Sequence, residues 1–303
     1  MWPNSFTACQ GDLTRRTEMA EIELYLFWGG MYCYVAVTIM LLAGFIFNKE
    51  KLLAWTTYVL VPGFIMHTLA FFIRWTVSGY FPANGEYEKG VSAGWFAILL
   101  TLLLSFRSKA LRAAGLVAVP MTLLFMGYGV MVEAGRQPVA ASLKSSWLVI
   151  HVLFAQFAFG AYVVASGLAL VYLLKDNKQR QGRELPFYNR FPALPLIDEM
   201  MFKFVVFGFI LDAIMIAAGM IWAKDLWGSY WSWDPVEVWS LASWLIYGLT
   251  IHLRSSLGWR GKRLAWIFLF AIVGIIIAFW GVDIVVKSGQ HAFGVKSMGV
   301  KPR

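Results

Sequence analysis

The sequence predicts an all-α polytopic integral membrane protein with about eight transmembrane helices and both termini outside, and three observations carry that prediction. Hydrophobic residues make up 59% of the chain and charged residues only 14%, against roughly 45–50% apolar in soluble domains, and the mean hydropathy is +0.64. The apolar residues fall into blocks of helix-spanning length. Lysine and arginine concentrate in alternate loops between those blocks.

Crossing a ~30 Å hydrocarbon layer takes about 20 mainly apolar residues, and eight stretches qualify: 22–47, 52–75, 91–106, 110–132, 146–174, 204–223, 236–253 and 264–286. The third and seventh are short, so their ends carry the widest margins. The alternating ten-residue pattern of a membrane β-barrel does not occur. Residues 1–18 precede the first block as a short extension; Arg15 and Arg16 are present without an apolar core or cleavage site, so it does not read as a secretory signal. Met19, directly before AEIELYLFW, reads as an alternative start.

Orientation follows from the cations between spans. One set of loops holds Lys49, Lys51, Arg107, Lys109, Arg112, Lys175, Lys178, Arg180, Arg183, Arg190, Lys203, Arg254, Arg260, Lys262 and Arg263. The opposite set holds Arg74, Lys89, Arg136, Lys144 and Lys224. The richer side is expected to be cytoplasmic in a cell membrane protein, which places both termini and the 224–235 loop outside. The external C-terminal tail, whose basic end is 295–303, is discordant in carrying Lys287, Lys296, Lys301 and Arg303. The crossover 175–203, with three prolines and mixed charges, reads as an ordered cytoplasmic segment. Since topology accounts for most of the +9 net charge, the lipid bilayer is the expected partner and nucleic acid is not. Cys9 and Cys33 offer neither a CxxC pair nor a thiolate zinc site.

Between the sixth and seventh blocks lies WGSYWSWDPVEVW, Trp227 to Trp239, with four tryptophans and a tyrosine in thirteen residues. Asp234, Pro235 and Glu237 write a helix start as N-cap, N1 and N3. Capping does not account for Trp227, Trp231, Trp233 and Trp239. An interfacial aromatic belt is one reading. The other is an aromatic shelf for a large planar ligand; were the loop helical, Trp227, Tyr230 and Trp231 would share a face.

The chain has four histidines. His151 lies five residues into the fifth block and His291 five beyond the eighth, both near the level of the tryptophans. Two imidazoles beside an aromatic shelf suit axial ligation of haem iron, although a lone histidine is more often a hydrogen-bonded structural residue. His67 and His252 lie within the second and seventh blocks, where ionisable groups suggest a transport path. Their expected depths differ, His67 nearer the outer edge and His252 nearer the inner one. Arg74 and Arg254, close to these histidines, read either as partners for haem propionates or as interfacial anchors. Asp212 sits deep in the sixth block with no evident partner.

Taken together, WGSYWSWDPVEVW followed by SLASWLIYGLTIHLR, His67, His151, the GQHAFG around His291 and the RWTVSGYFPANGEYE segment resemble the WWD-motif haem-handling family, specifically the CcsA/ResC component of system II cytochrome c biogenesis. The resemblance covers nearly all of 19–294, expected to form one eight-helix haem-handling domain, and this sequence reproduces the family's histidine order. Eight spans and four histidines match that component better than the system I haem handlers. The resemblance implies haem b as bound substrate, with His151 and His291 as external axial ligands and His67 and His252 as in-membrane ones. It further implies a shelf of Trp227, Trp231, Trp233, Asp234 and Trp239, and presentation of reduced haem to an apocytochrome c CxxCH motif as part of a haem lyase complex. The partners so implied are a CcsB/ResB-like membrane protein, apocytochrome c and external thiol-reducing proteins. An electron-transfer membrane cytochrome b and a transporter of another planar apolar ligand are the competing readings.

Overall fold

The computed structural model describes residues 4–82, 85–132, 145–182 and 186–282, with side chains from residue 15 onward except at 109–110. Among these residues every regular element is a helix: α1 (Asn4–Ile46), α2 (Glu50–Ser78), α3 (Gly85–Arg107), a 3-10 turn (Lys109–Ala114), α4 (Gly115–Val132), α5 (Ser146–Arg180), the single turn α6 (Pro186–Asn189), α7 (Leu194–Trp227), α8 (Pro235–Leu257) and α9 (Lys262–Ile276), which continues as a π turn through Gly281. Eight of the described helices are long and apolar enough to cross a membrane, as expected from the eight hydrophobic blocks.

The boundaries differ where polar residues are buried or where helices outrun the bilayer. No proline interrupts residues 4–46, and α1 runs from the N-terminal extension into the first span without a break. The third span begins at Gly85 rather than at 91, because Glu88, which hydropathy counts against a span, is buried in an ion pair with Arg74. Of the 34 residues of α7, whose length is about 51 Å at the usual rise, only 204–223 form the apolar block. Both ends therefore extend beyond the ~30 Å hydrocarbon layer.

Helix α5 is the centre of the bundle, packing on α3, α4, α7 and α9, with α1 and α2 paired beside it. Its middle is lined with small and aromatic side chains, Ala158, Phe159, Ala161, Tyr162, Ala165 and Ala169, all buried. Small residues let helices approach closely where lipid supplies no hydrophobic drive and van der Waals contact must hold the bundle. Crossover residues in and after α6 dock rather than dangle: Phe187 and Phe191 pack on Phe45 of α1 at ring distances of 5.5 Å. Lys175 donates to the carbonyls of Phe191 and Pro192 at 2.8 Å each, and Arg190 pairs with Glu50 of α2. Helix α8 is the most exposed span and packs on α7 and α9.

Candidate functional site

The Trp-rich connection is an ordered turn held at both ends. Helix α7 ends at Trp227, where Gly228 takes the left-handed conformation (φ 78) and its N–H bonds the Lys224 carbonyl. Lys224 Nζ donates back to Gly228 O at 2.8 Å and lies over the Tyr230 ring at 5.5 Å. At the other end the predicted helix start is present in full. Asp234 is the N-cap and accepts from Val236 N at 3.0 Å, Pro235 opens α8, and Glu237 Oε2 accepts from the backbone N–H groups of Ser232 and Asp234 at 2.8 and 3.2 Å. Two acidic side chains thus answer the unsatisfied donors of the α8 N-terminus.

Residues 228–234 are not helical, so the shared helical face of Trp227, Tyr230 and Trp231 does not form. The capping box requires an extended N-cap, and the chain reverses just before it through Trp233, whose φ of 58 is left-handed. A bulky residue in that region is a genuine outlier. It turns the Trp233 ring outward, 72% exposed. Trp231 and Trp233 meet edge to face, 5.9 Å apart at 89°, while Trp227 packs on Trp222 of its own helix at 5.2 Å. Trp239 lies one turn into α8, 40% exposed. The aromatic surface is therefore not one flat plane but a corner at which Trp233 is the most exposed ring.

His151 sits on the first turns of α5, against α7. Its Nδ1 lies 2.9 Å from the carbonyl of Met215, and since a carbonyl can only accept, Nδ1 carries the proton and Nε2 the lone pair. The contact exists because residue 219 is glycine: a Cβ there would stand 2.7 Å from His151 Nδ1. Metal-binding imidazoles are oriented in this way, by donating the non-ligating N–H to a backbone carbonyl. Gly219 and Met215 were not singled out in the sequence; the trace they left is the second of two glycines in the 204–223 block, one turn after Met215. The same helix that orients His151 ends at Trp227, eight residues or about 12 Å further on. His291 lies outside the described residues.

The other two histidines have contrasting surroundings. His67 is fully buried between α1, α2 and α3, with Nε2 3.0 Å from Val91 O and Nδ1 3.0 Å from Tyr34 Oη. Nε2–H must donate to the carbonyl, so Nδ1 accepts from the tyrosine, and each ring nitrogen already has a partner. His252 is exposed on α8, with Ser256 Oγ 3.3 Å from its Nδ1. The structure does not bring the two together: His67 belongs to the α1–α2–α3 corner and His252 to the opposite, outlying helix. His67 thus bonds α1 and α3 to α2.

The arginines are corrected likewise. Arg74 is buried and bonded to Glu88 Oε1 at 2.8 Å and to Glu23 Oε1 at 3.3 Å, uniting α1, α2 and α3. Tyr80, just outside the span, donates to the same Glu88 oxygen at 3.2 Å, and burial together with that carboxylate raises its pKa. Arg254 is buried against Asp198 at 2.6 Å. Neither is an interfacial anchor, because buried carboxylates pull both inward. Asp212, which showed no partner in the sequence, accepts from Tyr162 Oη at 3.2 Å, and Tyr162 stacks on Tyr247 at 3.7 Å. Among the described residues no three His, Cys, Asp or Glu side chains converge on a metal-sized point.

Fold and site together define a polytopic helical membrane protein that presents a capped, tryptophan-rich corner beside an oriented imidazole. Residues 88–289 match the cytochrome C assembly protein family, and the chain belongs to it, as a CcsA-type member with a role in cytochrome c maturation. It is similar to the cytochrome c biogenesis protein CcsA of Guillardia theta, 30% identical over 83% of this chain and 89% of that one. The CcsA of Mesostigma viride is 30% identical over 91% and 98%, and that of Synechococcus sp. (strain CC9311) 29% over 88% and 96%. Residues 26–109 also match the glia associated membrane protein glam-1, a stretch too short to assign a family. Among solved structures, the cytochrome c heme lyase CcmF superposes with a TM-score of 0.66 at 17% identity, over 86% of this chain and 46% of that one, a likeness of fold.

Proposed function

We propose that this protein carries haem b outward across the cytoplasmic membrane and presents it at the Trp-rich corner for covalent attachment to the CxxCH motif of an apocytochrome c. His151 and His291 are the axial ligands there, and Trp227, Trp231, Trp233 and Trp239 contact the macrocycle. The observation that carries this reading is the His151 imidazole, held by Met215 O in the tautomer that puts its lone pair on Nε2, on the helix that leads into the tryptophans. Asp234 and Glu237 act one step back, by capping α8 and so fixing the turn that exposes Trp233.

Two imidazoles fill both axial positions and suppress oxygen binding while haem is held. Release then needs the apocytochrome's own histidine to replace one of them. His67 and His252 are the in-membrane ligands in this reading, His67 exchanging its bonds to Tyr34 and Val91 for the iron, and a CcsB/ResB-like membrane protein is the partner. External thiol-reducing proteins keep the CxxCH cysteines competent, since Cys9 and Cys33 form no dithiol motif. The two termini and the Trp corner face the extracytoplasmic side in this reading.

The test is the absorption spectrum of the detergent-purified protein with its cognate partner. Reduced low-spin b-type bands in the parent, lost in His151→Gly or His291→Gly and restored by added imidazole, support the external site. A parent that stays haem-free after reconstitution overturns the function.

A further inference from the structure

At the lysine- and arginine-rich end of the bundle, opposite the Trp corner, a cavity of about 830 Å³ opens between the end of α5, the start of α7 and the turn joining α8 to α9. Its walls include Tyr172, Asp198, Trp259, Arg260, Lys262 and Arg263. The turn, GWRGK, is built rather than loose. Gly258 and Gly261 both adopt left-handed conformations (φ 65 and 66). Asp198 Oδ1 accepts the Gly261 N–H at 2.7 Å while its Oδ2 holds the buried Arg254 at 2.6 Å. A Cβ at Gly261 would stand 2.5 Å from Tyr172 Oη, so only glycine lets the turn close on α5.

This arrangement settles the charge of the cavity. Its one acidic group, Asp198, is neutralised by Arg254, and Arg180 is paired with Asp176 at 2.8 Å. Arg260, Lys262 and Arg263 have no ion-pair partner among the described residues, although Arg74, Lys89, Arg180, Arg190, Lys203 and Arg254 all do. Three uncompensated cations thus lie within four residues, with Arg263 over the Trp259 ring at 5.5 Å. From the cavity an apolar strip continues along α9: Trp266, Phe270 and Val273 are exposed and lie at i, i+4 and i+7, on one helix face. The Trp266 and Phe270 rings stack at 5.8 Å.

A cationic recess at the membrane edge, continuous with an apolar strip running into the bilayer, matches a ligand with an anionic head and a hydrocarbon tail. We infer that this cavity binds the phosphate of an anionic phospholipid, whose acyl chain lies along Trp266, Phe270 and Val273. Basic pockets at the ends of transmembrane helices recognise such headgroups, each nearby cation contributing to the attraction. The site is independent of the haem reading, since it rests on no residue of the Trp corner.

The full-length protein in detergent is titrated with dioleoylphosphatidylglycerol or dioleoylphosphatidylcholine and bound lipid is counted by native mass spectrometry, with inorganic phosphate as a separate arm. Phosphatidylglycerol is expected to be retained selectively and to resist displacement by equimolar phosphate. Arg260→Gln/Lys262→Gln/Arg263→Gln should weaken that retention on the order of 100-fold. The single exposed reversal Arg260→Glu, which leaves the fold intact, should weaken it roughly tenfold. A control triple at the same end, Lys49→Gln/Lys51→Gln/Arg107→Gln, should leave it unchanged. Equal retention of the two lipids, displacement by phosphate alone, or an equal loss in the control triple would each overturn the site.

Discussion

The corner formed by α1, α2 and α3 and the corner formed by α5, α7 and α8 each hold a histidine against a neighbouring backbone carbonyl, yet the first sets it in a buried polar network and the second on the helix pair that leads to an exposed aromatic turn. In the first, His67 closes a chain from Tyr34 through both ring nitrogens to Val91, and Arg74 joins Glu23 and Glu88 a short distance away. Each of these polar groups is turned inward and bonded across helices, which holds the bundle together where lipid gives no hydrophobic drive. In the second, Met215 O fixes the His151 ring through Nδ1, while the adjoining turn leaves Trp233 exposed. The central helix α5 has 78% of its most apolar window buried and α8 only 17%. The second corner is thus a rigid helix beside an uncovered one, a geometry for presenting groups rather than sequestering them.

Four substitutions test that contrast, from the largest effect to the smallest. His151→Gly is expected to abolish most of the reduced b-type absorption with thermal stability close to the parent, and exogenous imidazole should restore the bands. If the bands persist, the second corner is structural too. Arg74→Met should give the largest loss of stability, because it removes a guanidinium from between two buried carboxylates. Breaking such a pair costs about 3–5 kcal/mol, to be read as a lower midpoint in SDS-induced unfolding.

His67→Leu should cost about 1–3 kcal/mol, since it leaves the buried Tyr34 Oη without its acceptor while Val91 O keeps its donor within α3. The surviving folded fraction should still hold haem at the external site. Loss of the external bands at unchanged stability would erase the distinction between the two histidines. Trp233→Gly relieves a left-handed conformation that costs an L-residue about 1–2 kcal/mol, so the unfolding midpoint should rise slightly while haem occupancy falls. A variant that gains nothing in stability would show that the turn does not store that strain.

Legibility in the sequence tracked the range of the interaction. The α8 start was readable from Asp234, Pro235 and Glu237 because a capping box involves neighbours three residues apart. The condition for a shared face of Trp227, Tyr230 and Trp231, a helical loop, is not met for the same local reason: the chain reverses just before the cap. His151 was readable as a candidate by its depth, but the Met215 carbonyl that fixes its tautomer is 64 residues away. The partners of His67, Tyr34 and Val91, were not readable, because depth along a span says nothing about which neighbours a span has.

What the sequence determined by itself is the set of eight spans, the Trp-rich turn and its cap, since hydrophobic length and local backbone donors need no distant partner. The tertiary structure alone decided which partner each polar side chain inside the bundle takes. Arg74, Arg254, Asp212 and His67 look alike in sequence to groups awaiting a ligand. Each is instead bonded by a residue from another helix, Glu23 and Glu88, Asp198, Tyr162, and Tyr34 with Val91 respectively. The physical reason is that a polar group buried without a partner is costly, and its partner is chosen by helix packing rather than by proximity along the chain.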